Sequence, residues 1–101
     1  MSKSAPTLAD LREHRDEILA LAQRYGAYNV RVFGSVARGD ATAESDIDLL
    51  VQFQPWVSLY ELVGIKQAIE SVLHQSVDIV EDHAGLRARF RDRILKDALP
   101  L

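Results

Sequence analysis

Between Thr7 and Gly26 the apolar residues Leu8, Leu11, Ile18, Leu19, Ala22 and Tyr25 recur at helical spacing, with Arg12, Glu13, Asp16 and Glu17 elsewhere. That spacing predicts an amphipathic helix over residues 7–26 with one buried stripe. Pro6 precedes it, Thr7 and Asp10 stand at capping-box spacing, and Gly26 is placed to end it in a left-handed conformation. From Asn29 to Phe33 the pattern changes to alternation, Val30 and Val32 against Arg31 and Phe33, and it stops at Gly34-Ser35, so a strand running into a tight turn is predicted. Residues 34–45 are small and polar, which predicts a loop with at most one short helical turn. Asp46 to Phe53 alternates again: Ile47, Leu49, Val51 and Phe53 share one face, and Asp46, Asp48, Leu50 and Gln52 the other. Pro55 ends this strand. Ser58 and Glu61 then form a second capping box before a long helix whose stripe is Leu59, Leu62, Val63, Ile69, Val72 and Leu73. Gly64 weakens that helix by ~1 kcal/mol relative to alanine. Val77 to Val80 is a third strand, and residues 85–99 form a closing helix with Leu86, Phe90, Ile94 and Ala98 at i+4 spacing.

The resulting order is helix, strand, strand, helix, strand, helix. A long helix between the second and third strands is a crossover, so the expected fold is α+β (layered α/β), a small mixed sheet of three or four strands with helices mainly on one face. A length of 101 residues fits one domain spanning 1–101, with a motif core over 30–80. An apolar share of 48% and a charged share of 27% are those of a globular protein. The net charge of −3 argues against extended nucleic-acid binding, so partners are expected to be held by a local site. The chain has no cysteine, which excludes a disulfide scaffold, a thiolate zinc site and a cysteine nucleophile, and points to a reducing compartment. Met1 to Asp10 holds no signal-peptide run, and no stretch approaches the ~18 apolar residues of a membrane span, so a cytoplasmic location without membrane contact is expected.

The strand period sets Asp46 and Asp48 side by side on one face. Carboxylates that close repel one another unless a cation or proton intervenes. Hard oxygen ligands at a strand end suit Mg²⁺ that bridges to substrate phosphates. Asp78, between Val77 and Ile79, also points away from the apolar face of its strand. If the two strands are neighbours, three acids meet in a pattern suited to two cations held roughly 3.5–4 Å apart for phosphoryl or nucleotidyl transfer. Gly34 and Ser35 follow the first strand, where a glycine lets the backbone approach a phosphate and the serine hydroxyl and N–H groups face its oxygens. Arg38 adds a cation to that loop, and Ser45 directly precedes the acidic strand.

Phe33-Gly34-Ser35-Val36-Ala37-Arg38-Gly39, then ten residues between Ser35 and Asp46, then Ser45-Asp46-Ile47-Asp48-Leu49-Leu50-Val51 resembles the minimal nucleotidyltransferases of the DNA polymerase β superfamily. The resemblance covers the chain from Val30 to Ile79. It implies that Asp46 and Asp48 bind divalent metal, that Asp78 helps ligate it and activates the attacking hydroxyl, and that Gly34 and Ser35 hold the nucleoside triphosphate. Family members this short are similar to MNT-type antitoxins, which accompany a HEPN toxin with ribonuclease activity and in some cases silence it by moving AMP from ATP to one of its tyrosines. Larger relatives, the aminoglycoside nucleotidyltransferases and the tRNA-end and poly(A) polymerases, carry an added helical domain for the acceptor. This chain has none, so an acceptor brought by another protein is expected. A catalytically idle antitoxin that only binds its toxin is the alternative, and a drug-modifying transferase subunit is a third reading.

Other residues carry weaker signals. His14, His74 and His83 lack metal-ligand spacing and read as surface or helix-end residues. Trp56 reads as packing on the core or a partner before base stacking. Ser45 reads first as a local backbone hydrogen-bonder and second as a nucleotide contact. The run Arg87, Arg89, Arg91, Arg93 and Lys96, broken by Asp92 and Asp97, reads first as a solvated helix face and then as a docking surface.

Overall fold

The computed structural model describes residues 4–83, 85–86 and 88–101. Helices α1 (Leu8–Glu13) and α2 (Arg15–Arg24) lead into β1 (Ala27–Phe33), α3 (Gly34–Arg38), β2 (Ile47–Phe53), α4 (Leu59–Leu73), β3 (Val77–Glu81), α5 (Ala88–Asp97) and β4 (Leu99–Pro100). The sheet runs in the order β3-β2-β1-β4. Its β1/β2 and β1/β4 pairs are antiparallel and its β2/β3 pair is parallel, the mixed sheet that the crossover through α4 predicts.

Both capping boxes form: Thr7 Oγ1 accepts the Asp10 N–H, and Glu61 accepts the Ser58 N–H while Ser58 caps α4. The expected helix over 7–26 is divided at His14, whose N–H bonds to Leu11 O at 3.1 Å while its own carbonyl still receives the Ile18 N–H. This is a local tightening, and Leu11 and Ile18 remain on one buried face. The core joins Leu11, Ile18 and Ala22 of α1 and α2 and Ile65 and Ile69 of α4 to Val30, Val32, Ile47, Leu49, Val51 and Val77 of the sheet. Each of the larger of these side chains contributes about 1.5–3 kcal/mol on burial. In β1 the register shifts between Tyr28 and Arg31, with Asn29 at φ 52°. The extra residue turns Ala27 and Val30, three apart, to the same core face.

The loop over 34–45 opens with the one short helical turn that the sequence allowed, α3, closed by Gly39. One part of the sequence reading is corrected. The closing helix begins at Ala88 and stops at Asp97, and Leu99–Pro100 pairs with Arg31 and Val32 as β4. The cause is Pro100, which pushes Leu99 out of the helical region and lacks the N–H an inner strand needs. Leu101 follows into the core cluster, its N–H bonded to Val30 O at 3.2 Å. Helix α5 lies apart from the other long helices: Leu50 and Ile94 are both buried, yet outside the main cluster. Leu50, grouped by period with the polar face of β2, is therefore covered on the second side of the sheet, where α5 packs on β1 and α3.

Helix α5 is tied by charge near both of its ends. Asp82, nearly fully buried, accepts from Arg91 Nε at 2.9 Å and Arg31 Nη2 at 3.1 Å. At the other end of α5, Asp97 accepts from Arg38 Nη1 at 2.9 Å.

Candidate active site

The β1–α3 junction places Gly34 at φ +73°, a backbone conformation that side chains with a Cβ rarely adopt. A Cβ added there falls onto Asp48 Oδ2. Asp48 is the cross-strand partner of Phe33 in β1 and of Asp78 in β3, so one register fixes the glycine and two acids together. Asp46 precedes β2 on the same end. Burial raises the Asp48 carboxyl above the ordinary carboxylate range, the charges of Asp78 and Asp46 raise it further, and Arg38 opposes them. Like charge is thus crowded around Asp48. Among the described residues no three His, Cys, Asp or Glu side chains stand close enough together to form a metal-binding group. The fold brings Gly34, Asp46, Asp48 and Asp78 to one end of the sheet without closing the acids into a cage.

Arg38, at the end of α3, is half exposed and paired with two carboxylates: its Nε donates to Asp40 Oδ2 at 3.2 Å and its Nη1 to Asp97 Oδ2 at 2.9 Å. These bonds raise its pKa further. Sequence reasoning gave Asp97 no role beyond interrupting a basic run, because its contact to Arg38 spans 59 positions. Ser35 lies in the first turn of α3, and its carbonyl receives the N–H groups of Gly39 and Asp40 at 3.0 Å each. Ser45 spends its hydroxyl on the Thr42 N–H at 2.9 Å, closing a local turn.

The remaining candidates lie elsewhere. His74 ends α4 in a left-handed conformation, His14 stands 3.6 Å from Glu17, and His83 accepts the Gly85 N–H. Trp56 is exposed beyond the end of β2 opposite to Asp48. In the basic run Arg91 is spent on Asp82, Arg89, Arg93 and Lys96 are exposed, and Arg87 lies outside the described residues.

Comparison with known proteins gives consistent matches. A family model described as the nucleotidyltransferase domain matches residues 11–100. The protein adenylyltransferase MntA of Thermococcus cleftensis is 37% identical over 89 residues, covering 88% of this chain and 86% of that one. A solved structure named as a proposed minimal nucleotidyltransferase is 46% identical, with a TM-score of 0.83 over 95% of this chain and 97% of that chain. A solved complex of a tri-AMPylated Shewanella oneidensis HEPN toxin with an MNT antitoxin matches with a TM-score of 0.65 at 16% identity, over 88% of this chain and 69% of that chain, a likeness of fold alone. No helix among the described residues is long and apolar enough to cross a membrane.

Proposed function

We propose, from the premise that the chain belongs to the nucleotidyltransferase domain family, that it moves AMP from ATP to a tyrosine hydroxyl of a HEPN-type partner and so acts as an antitoxin. The observation that carries this reading is Asp48 seated against Gly34 with Asp78 as its register partner. Support for the reaction comes from the relative named a protein adenylyltransferase, and support for the partner from the fold shared with the complex of an MNT antitoxin and an AMPylated HEPN toxin.

The donor set at the site is all carboxylate oxygen, with Asp48 half-buried, Asp46 and Asp78 exposed and both of their charges felt at Asp48, which fits Mg²⁺ that takes one or two carboxylates beside waters and substrate phosphates. Asp46, Asp48 and Asp78 would hold it, and bound there it supplies charge neutralisation at the triphosphate. Gly34 and Ser35 meet the phosphates, with Arg38 near them as a cation oriented by Asp40 and Asp97. The acceptor oxygen forms its bond to the α-phosphorus as the bond to pyrophosphate breaks, and Asp78 takes the hydroxyl proton. Most of the rate gain in such a site comes from positioning and fixed charge.

The test is intact-mass spectrometry of the HEPN-type partner after incubation with this protein, ATP and Mg²⁺. Transfer adds one or more AMP masses to the partner, and the addition is lost with Asp48→Asn or Asp78→Asn. Inhibition of the toxin with no added mass, unchanged in both variants, refutes transfer and leaves the binding-only antitoxin.

A further inference from the structure

β3 is an edge strand, and its first residue is held from two sides. On the inner side the Ile47 N–H donates to Ser76 O at 2.9 Å, immediately before β3. On the outer side, where an edge leaves backbone groups unpaired, helix α4 supplies side chains in place of a neighbouring strand. The Val77 N–H donates to Glu70 Oε2 at 2.9 Å and Lys66 Nζ donates to Val77 O at 2.6 Å. Lys66 Nζ also donates to Glu70 Oε2 at 2.8 Å, one helical turn along α4. The three contacts form a closed ring around the N–H and C=O of a single residue. Val77 is itself fully buried, and the next residue is Asp78, beside Asp48.

We infer that Lys66 and Glu70 are positioning residues that clamp the backbone at Val77 and thereby fix Asp78 against Asp48. Neither side chain touches the reacting atoms. Their effect passes through one peptide to the acid at the least supported edge of the site, since β3 has no strand beyond it. An ordinary i, i+4 surface pair contributes little to stability, and the pair here is distinguished by what both members also bind. Supporting groups one step removed from a metal ligand typically change metal affinity 10–100-fold when removed, and the same is expected here. This inference rests on the role given to Asp78 above.

The test needs no acceptor protein. Amide hydrogen exchange by NMR reads the clamp: Glu70→Ala should speed exchange at Val77 and Asp78 about tenfold while core amides of α2 and β2 keep their protection. Glu70→Gln, which retains an acceptor for the Val77 N–H, should restore most of it. Calorimetric titration of Mg²⁺ in the presence of AMP-PNP reads the consequence. Glu70→Ala should weaken Mg²⁺ binding about tenfold, and in an Asp78→Asn background the same change should weaken it no further. Lys66→Met, which leaves the helix and Glu70 in place, gives the same comparison should Glu70→Ala fold poorly. Unchanged exchange at Val77 and Asp78, or equal loss of Mg²⁺ affinity with and without Asp78, overturns the clamp. Faster exchange together with wild-type Mg²⁺ affinity in Asp78→Asn overturns the role of Asp78 itself, and the two failures are told apart by which measurement moves.

Discussion

Replacing Gly34 with alanine tests whether the glycine is required by Asp48 or merely by the backbone. Two costs apply. At φ +73° a residue with a Cβ pays ~1–2 kcal/mol for the left-handed conformation. The added methyl also lands on Asp48 Oδ2, and relieving such overpacking costs about 1–3 kcal/mol. The sum, about 2–5 kcal/mol, lies within the 5–15 kcal/mol stability of a typical domain, so the variant should still fold. Gly39 supplies the control, because it has φ +82° yet nothing within 4 Å of an added Cβ. Gly39→Ala carries the conformational cost alone. Urea denaturation should therefore place Gly34→Ala below Gly39→Ala by the overpacking increment. Asp48, attached to the rigid β2, can yield only by turning its carboxylate away, and a displacement of about 1 Å at a reacting centre costs on the order of 100-fold in rate. Gly34→Ala should then lose AMP transfer while Gly39→Ala keeps it. Equal stability of the two variants, or full transfer by Gly34→Ala, refutes the contact as the reason for the glycine.

Three further outcomes follow from charge. Because the folded protein raises the Asp48 pKa, its ionised form opposes folding once the pH exceeds the unfolded carboxylate value of about 3.9; Asp48→Asn should therefore be more stable than wild type at pH 7, with the gain shrinking as the pH falls through the raised folded value and gone below pH ~4, and a less stable variant at pH 7 contradicts this. Asp82 has the opposite sign: bonds from Arg91 and then Arg31 hold its carboxyl below the ordinary range, so its contribution is complete above pH ~4 and is lost as the pH falls through the folded value. Asp82→Asn should cost about 2–3 kcal/mol at pH 7 by urea titration and progressively less as the pH falls below ~4, and a pH-independent cost argues against the pair. Reversing Arg89 and Arg93 to glutamate should weaken the complex with a HEPN-type partner and flatten its salt dependence if this face meets an acidic surface; affinity unchanged at low salt assigns the two residues to a solvated face.

The elements that were legible in the sequence are those whose signal is local. Thr7 with Asp10 and Ser58 with Glu61 mark helix starts because both partners lie within one turn, and both boxes form. The period-2 pattern of β2 puts Asp46 and Asp48 on the face opposite to Ile47 and Leu49, and the parallel register with β3 sets Asp78 beside Asp48. Leu50 shows the limit of the same rule. Period assigns it to the polar face, yet it is fully buried, on the side of the sheet where α5 packs on β1 and α3. Gly64 reads locally as a weak point of α4, whereas a Cβ there would meet the Tyr25 ring at 2.5 Å, so its small size serves the contact between α2 and α4.

The site divides along the same line. Gly34 was legible as part of a motif, but the reason visible in the sequence, approach of backbone to phosphate, is joined by a nearer one that needs β1 and β2 paired: the space a Cβ would take is filled by Asp48. Arg38 reads in the sequence as the cation of the loop after Gly34, while the carboxylate of Asp97 that orients it comes from α5 across 59 positions. Lys66 and Glu70 were in plain view as an i, i+4 pair and carried no functional signal, because that spacing is the commonest arrangement of charge on an exposed helix face. What separates them from any other such pair is the peptide of Val77 beneath them. A sequence pattern reports the direction in which a side chain leaves its own element, and the residue it meets is decided by pairing between elements. The candidate acids Asp46, Asp48 and Asp78 are therefore readable one strand at a time, and the groups bonded around them become readable only once the strands are in register.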